Sequence, residues 1–215
     1  MIVVNFKGVI FDMDGTILDS IEVWDKIDVD FLGARGVEVP EDYARTISTM
    51  TGEECAKYSI ERFNLKDTVE GLIKEWDERA LFEYSNNLKL KKGAKAYIER
   101  LKERGVKIAL ATSSSKTLYT AAMKNTGIYG YFDTFISTDE TGINKRDPHV
   151  YVYAAEKLGL DITDCVVFED VPTAVKTAKT TGAKVICMWD KRWDAFKAEM
   201  KETADKYIYS FDEME

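Results

Sequence analysis

Near its beginning the chain reads GVIFDMDGT over residues 8–16. The apolar run that opens this stretch is typical of a buried β-strand, predicted here over residues 7–13. Two acids, Asp12 and Asp14, close the run and precede a Gly-Thr turn. In open α/β sheets, ligands bind beyond the carboxyl ends of the strands. The stretch therefore predicts a central strand with a functional site at its end.

The remaining sequence divides into two kinds of pattern. From residue 88 onward, amphipathic helical segments alternate with short apolar runs, which predicts a doubly wound parallel sheet. Residues 20–87 carry helical signals only. We therefore expect an α/β core of residues 1–19 and 88–215, interrupted by an all-helical cap domain of residues 20–87.

Two signals inside the helical insert can be checked individually. Thr51 and Glu54 have the spacing of a capping box, which predicts a helix start at this point. A further helix is expected over residues 67–84, and its periodicity predicts an inner face of Leu72, Ile73, Trp76, Ala80 and Leu81.

Composition limits the class of partner. The chain has 215 residues and a formal net charge of −8. That charge argues against nucleic acid and against an anionic membrane surface, because both are bound through clustered Lys and Arg. The three cysteines lack Cys-x-x-Cys spacing, which favours reduced thiols and a cytoplasmic location, and no stretch predicts a membrane span. A small soluble substrate is the expected partner.

Several catalytic classes lack their residues. His149 is the single histidine, so zinc hydrolases and histidine-dependent triads miss their usual ligands or base. The common glycine-rich nucleotide loops and the Cys-x5-Arg phosphate loop are absent from the sequence. Aspartate is the candidate nucleophile that remains.

Polar residues follow the later predicted strands as well. Thr112 and Ser113 come after the second strand, and Glu169 and Asp170 come after the fourth. Parallel strand ends share one edge, so these groups should meet the acids of the first strand. Carboxylates so close together need a cation, and hard oxygen ligands favour Mg²⁺, which also binds phosphate. Lys145, which precedes a predicted helix, could neutralise charge on a transferring phosphoryl group.

These stretches resemble, in order, the four motifs of the haloacid dehalogenase-like superfamily in its phosphatase form. The matching stretches are DMDGT at 12–16, ALATS at 109–113, Lys145 with Pro148, and VVFED at 166–170. The resemblance covers essentially the whole chain and is nearest to members similar to β-phosphoglucomutase and phosphoglycolate phosphatase. The helical insert falls where the cap domain of that family lies.

The resemblance implies a role for each site residue. Asp12 would be the nucleophile and Asp14 the general acid and base. The residues implied to hold Mg²⁺ are Asp12, Asp14 through its backbone carbonyl, and Asp170, with Glu169 either ligating the metal or accepting a hydrogen bond beside it. The residues expected to bind the phosphoryl group are Thr112, Ser113 and Lys145.

Departures from the pattern bear on the reaction. Related mutases carry a histidine where this chain has Trp24, and a cation in the loop that here reads MTGEEC at residues 50–55. A mutase must hold a bisphosphate, so these losses favour simple hydrolysis of a small phosphomonoester, such as a sugar phosphate. A phosphosugar mutase and a catalytically idle protein that binds a phosphorylated metabolite remain the alternatives.

Overall fold

In the computed structural model, which describes residues 6–214, six strands form one parallel sheet. The strands are β1 Gly8–Phe11, β2 Lys107–Thr112, β3 Thr134–Ser137, β4 Cys165–Glu169, β5 Lys184–Met188 and β6 Lys206–Ile208. Their order across the sheet is β3-β2-β1-β4-β5-β6, with β1 near the centre. The predicted doubly wound parallel sheet is confirmed. Residues 1–5 and 215, which the predicted core also includes, lie outside the described residues.

Four helices lie within residues 20–87, and six more lie between residue 88 and β6, among the later strands. The first four are α1 Ile21–Gly33, α2 Tyr43–Ile47, α3 Gly52–Phe63 and α4 Val69–Asn86. The others are α5 Ala94–Glu103, α6 Lys116–Asn125, α7 Thr138–Thr141, α8 His149–Lys157, α9 Pro172–Thr180 and α10 Lys197–Thr203. No helix within residues 6–214 is long and apolar enough to cross a bilayer.

Each face of the sheet has its own apolar cluster, because successive side chains of a strand point to opposite sides. Phe11 of β1 packs against Phe168 of β4, with ring centroids 4.9 Å apart, on the face that α5 and α6 cover. Ile10 lies on the other face, with the buried side chains of α8, α9 and α10. Burial on both faces explains why the central strands are continuous apolar runs.

A third cluster lies entirely within residues 20–87. Its buried members are Phe31, Leu32, Tyr43, Ala56 and Leu72. A separate apolar cluster supports the proposal that this segment is a distinct unit, and "the cap" denotes residues 20–87 below.

The capping box at the start of α3 is present as the sequence predicts. The amide of Glu54 donates to Thr51 Oγ1 at 3.1 Å, and the amide of Thr51 donates to Glu54 Oε2 at 2.8 Å. The expected inner face of α4 is partly wrong. Leu72 and Ala80 are buried, but Leu81 is 37% exposed, and Tyr84 is buried in its place.

Candidate active site

The ends of β1 and β4 bring three carboxylates together. The two strands pair in register with Phe11 opposite Phe168, and the amide of Asp12 donates to the carbonyl of Phe168 at 3.0 Å. Asp12 therefore lies beside Glu169 and Asp170. Carboxylate oxygens of all three residues lie within 4.8 Å of one another, and all three side chains are buried.

Lys145 lies between two of these acids. Its side chain is buried, its Nζ contacts Asp12 Oδ1, and it donates to Glu169 Oε1 at 2.8 Å. The hydroxyl of Tyr151 donates to the same Glu169 oxygen at 2.8 Å. Burial lowers the pKa of Lys145, but the charges of Asp12 and Glu169 outweigh it and hold that pKa above its usual range. The lysine is therefore a fixed positive charge facing Asp12.

Two features of the carboxylate cluster fit a bound cation. Glu169 Oε2 is buried and has no hydrogen-bond partner among the described residues. Thr16 Oγ1 lies 2.9 Å from both Asp12 Oδ2 and Asp170 Oδ1, yet its hydroxyl has one proton to donate. Lys145 balances only part of the negative charge. Hard oxygen donors with this deficit of positive charge suit Mg²⁺.

Asp170 is held by an indole. Trp193 lies in a 3₁₀ turn at Lys191–Phe196, is buried, and donates from Nε1 to Asp170 Oδ2 at 3.0 Å. Burial, followed by the neighbouring acids Asp12 and Glu169, raises the pKa of Asp170 well above its usual value. An outer hydrogen bond of this kind fixes the orientation of a metal-binding carboxylate.

We expect Trp193→Phe to weaken Mg²⁺ binding by about 10- to 100-fold, the range for loss of an outer-shell partner. Phenylalanine keeps most of the buried ring but cannot donate to Asp170. Calorimetric titration with MgCl₂ measures the effect without turnover. Trp189→Phe is the matched control, because Trp189 Nε1 donates instead to Asp194 at 3.1 Å. Equal Mg²⁺ affinities in the two variants would contradict the role of Trp193.

The carboxylate of Asp14 is separate from the three-acid cluster. Oδ1 accepts from Ser20 Oγ at 2.6 Å and from the hydroxyl of Tyr84, and Oδ2 accepts from Ser114 Oγ at 2.7 Å. Burial raises the pKa of Asp14 even though these three hydroxyls lower it. Trp24 extends this hydrogen-bond network, since its Nε1 donates to the hydroxyl of Tyr84 at 2.7 Å. Asp14 is thus held in one orientation by residues of both the core and the cap.

Gly15 allows this arrangement of the acids. Its φ of +78° is a conformation that favours glycine, and a Cβ at this position would collide with Asp170 Oδ2. The tight turn after β1 therefore brings Asp170 against the chain that carries Asp12 and Asp14.

Hydroxyls at the end of β2 remain available to a ligand. Thr112 Oγ1 accepts from the amide of Ser114 at 3.0 Å, and the Thr112 proton has no acceptor within residues 6–214. Ser113 Oγ is buried and likewise has no partner in the part of the chain that the structure describes. Both hydroxyls precede α6. They are suitable donors for phosphate oxygens, since anions bind well at helix N-termini.

A cavity of about 180 Å³ extends from Asp14 and Asp170 into the cap. Its cap walls are largely aromatic and aliphatic, and include Trp24, Ile47, Met50, Ile73 and Trp76. Trp24, which stands where related mutases carry a histidine, is therefore a cavity residue. Drug-sized ligands occupy sites of about 300–1,000 Å³, so this cavity suits a small metabolite.

Asp28 of α1 also lines the cavity. Its side chain is 8% exposed, and burial raises its pKa to about 7 despite the opposing charge of Arg192. Because aspartate in unfolded chains titrates near pH ~4, the folded state binds this proton more tightly. The free energy of unfolding therefore falls as pH rises from about 4 to about 7.

We expect Asp28→Asn to remove this pH dependence. Between pH 5 and pH 8 the stability of the variant should rise relative to that of the unmodified protein by about 1–3 kcal/mol. Urea denaturation across that range measures the difference. Asp30→Asn is the control, because Asp30 is on the same helix but is partly exposed and paired with Lys26. If the free energies of unfolding of Asp28→Asn and of the unmodified protein change with pH in parallel, burial of Asp28 does not cause the expected loss of stability.

The structure gathers the residues that the motifs single out, and adds others. Asp12, Lys145, Glu169 and Asp170 form one buried cluster. The Asp14 carboxylate lies outside the three-acid group. The supporting residues that the sequence did not indicate are Ser20, Tyr84, Tyr151 and Trp193. Thr16 and Ser114 lie in or beside the quoted motifs, but the sequence did not predict the hydrogen bonds that their side chains make.

A family model, two curated relatives and a solved structure were compared with this chain, and their results agree with one another. The sequence model of haloacid dehalogenase-like hydrolases matches residues 6–182. The chain is 29% identical over 180 residues to a phosphorylated carbohydrates phosphatase of Thermotoga maritima, covering 84% of this chain and 83% of that protein. It is 26% identical over 183 residues to hexitol phosphatase B of Escherichia coli strain K12, covering 82% and 81% respectively. CbbY from Rhodobacter sphaeroides, solved in complex with phosphate, has a similar fold, with a TM-score of 0.83, 22% identity and coverage of 97% and 96%.

Proposed function

Because the chain belongs to the haloacid dehalogenase-like hydrolase family and is a phosphatase of that family, we propose that it hydrolyses a small sugar phosphate or similar metabolite by way of an aspartyl-phosphate. The observation that carries the proposal is Lys145, buried against Asp12 and Glu169. A buried lysine that faces the proposed nucleophile can stabilise charge on a transferring phosphoryl group. The named relatives that act on phosphorylated carbohydrates and hexitols support the substrate class.

In the first half-reaction, a carboxylate oxygen of Asp12 attacks the phosphorus atom. A bond from Asp12 to phosphorus forms while the bond from phosphorus to the leaving-group oxygen breaks. Asp14 donates a proton to that oxygen, so the leaving group departs as an alcohol. Lys145, Thr112 and Ser113 donate hydrogen bonds to the phosphoryl oxygens during the transfer.

In the second half-reaction, water attacks the phosphorus atom of the aspartyl-phosphate. Asp14, now ionised, takes a proton from that water, and the bond between Asp12 and phosphorus breaks to release phosphate. The residues that would hold Mg²⁺ are Asp12, the backbone carbonyl of Asp14, and Asp170, with Glu169 adjacent. When bound, Mg²⁺ would offset the mutual repulsion of the acids and of the substrate phosphate.

A screen of phosphorylated metabolites, with MgCl₂ and with EDTA, tests the function. We expect release of inorganic phosphate from one or more sugar or sugar-alcohol phosphates, and its loss in EDTA. Interconversion of hexose 1- and 6-phosphates that depends on a bisphosphate would instead identify a mutase. Tight binding of one phosphorylated ligand without hydrolysis of any would identify an idle binding protein.

A further inference from the structure

The cap end of the cavity holds a buried carboxylate without a partner. Asp28 is on α1, lines the cavity, and makes neither a hydrogen bond nor an ion pair within residues 6–214. Arg192 is the nearest compensating charge, but its guanidinium contacts Asp25 and the carbonyl of Ile21. A buried carboxylate in this position is costly unless something donates a hydrogen bond to it. The cavity places a ligand where it can do so.

The other charges at the cap end are already engaged and are mostly negative. Asp77 accepts from Ser115 Oγ at 2.9 Å, and Asp139 accepts from the amide of Gly52 at 2.7 Å. Arg192 is the one cation among the described lining residues. A second phosphate in this part of the cavity would meet several carboxylates at close range. The charge pattern therefore favours a neutral or cationic group.

The apolar walls of the cavity further restrict the class of ligand that fits it. Trp24 and Trp76 both line the cavity, and aromatic faces pack against the C–H faces of small rings or against cations. The polar requirements left at the cap end are a donor for Asp28 and an acceptor for Trp76 Nε1, which is buried without a partner among the described residues. A leaving group with an apolar face and a hydroxyl or ammonium group meets these conditions, whereas a second phosphate adds negative charge beside the lining carboxylates.

We propose that Asp28 is the leaving-group receptor of this phosphatase, accepting a hydrogen bond from a hydroxyl or ammonium group of the substrate. It thereby selects phosphomonoesters whose leaving group is uncharged or carries an amino group over bisphosphates. The proposal rests on the proposed function, since it assigns the cap end of the cavity to the alcohol part of the substrate. Asp28 acts in binding and takes no part in the chemical steps at Asp12 and Asp14.

Three substrates and two substitutions test this assignment. Sorbitol 6-phosphate offers hydroxyl donors, glucosamine 6-phosphate adds an ammonium group, and p-nitrophenyl phosphate has a leaving group without a donor. Asp28→Leu is expected to lower kcat/KM for the two sugar substrates by about 10- to 100-fold, the range for a hydrogen bond to a charged group. The value for p-nitrophenyl phosphate should change by less than about twofold.

Asp28→Asn distinguishes the two donors. Asparagine keeps an acceptor oxygen but lacks the charge, so a hydroxyl donor predicts a smaller loss than with Asp28→Leu, and an ammonium donor predicts a loss of similar size. Asp30→Asn is the matched control on the same helix, and none of its three kcat/KM values should change. An Asp28→Leu protein whose sugar-to-aryl ratio of kcat/KM stays within about twofold of the original would overturn the proposal.

Equilibrium binding separates this proposal from the hydrolytic function. Calorimetry with sorbitol 6-phosphate, in protein carrying Asp12→Asn and in the same protein with Asp28→Leu added, reports affinity without turnover. We expect an affinity loss of about tenfold or more on adding Asp28→Leu. If the unmodified protein hydrolyses none of the probes but this affinity difference is found, the proposed function fails and the role of Asp28 stands. Equal affinities would overturn the role of Asp28 whatever the activity.

Discussion

Replacing Asp12 by Asn is expected to reduce phosphomonoester hydrolysis by about 10⁴-fold or more, because an amide cannot replace the carboxylate as nucleophile. Asparagine has nearly the same shape, and Glu169 still pairs with the buried Lys145. We therefore expect the far-ultraviolet circular dichroism spectrum to be unchanged. Steady-state release of phosphate from the best substrate in the panel measures the loss.

Asp164→Asn is the control for this substitution. Asp164 precedes β4 at the opposite edge of the sheet and pairs with Lys7 at 2.8 Å. Its replacement should leave turnover unchanged. A second observation distinguishes attack by Asp12 from direct attack by water, because acid-quenched unmodified protein should gain the mass of one phosphoryl group and the Asn variant should not. An Asp12→Asn protein with more than about 1% of the original rate would refute the mechanism.

Replacing Asp14 by Asn is expected to lower kcat for alkyl phosphates by about 10²- to 10⁴-fold, the usual contribution of a general acid or base. The effect should differ between the two half-reactions. An alkoxide leaves poorly without a proton, but p-nitrophenolate needs no protonation. With p-nitrophenyl phosphate the variant should therefore still form the aspartyl-phosphate and then hydrolyse it slowly.

Rapid mixing can resolve these steps. We expect a burst of about one p-nitrophenolate per active site, followed by slow turnover, which is the kinetic signature of an accumulating covalent intermediate. Sorbitol 6-phosphate should show no burst of free alcohol. Equal losses for both substrates, with no burst from either, would show that Asp14 does not exchange protons with the leaving group and water.

The sequence was sufficient for the fold class because its signals are local. Alternating apolar runs and helical periodicity predict a doubly wound sheet, and the capping box at Thr51 depends on residues three apart. Leu81 shows the limit of periodicity. It lies next to the buried Ala80 in the helical pattern, yet its exposure is decided by what packs against α4, and that information is not contained in the helix itself.

The candidate site likewise contains residues that the sequence could identify and residues that it could not. Asp12, Glu169 and Asp170 could be identified because each lies at the end of a recognisable strand or directly after it. The residues that orient them come from distant elements, as when Tyr84 of α4 reaches Asp14 and Trp193 reaches Asp170. The position of Asp28 in the sequence pattern of α1 does not distinguish it from an exposed acid. Only the assembled cavity shows that this carboxylate is buried without a partner.

The position of β1 in the sheet has a consequence for folding. Gly8 pairs with Lys107 on one side and with Cys165 on the other, so both neighbours of this strand lie beyond the whole cap in sequence. Contacts so distant along the chain slow folding, because a long loop must close before they form. At a synthesis rate of about 5–20 residues per second, roughly 8–30 seconds pass between the synthesis of β1 and that of its second partner, β4. The strand that precedes Asp12 is the first of the six to be made and completes its pairing only after β4 has left the ribosome.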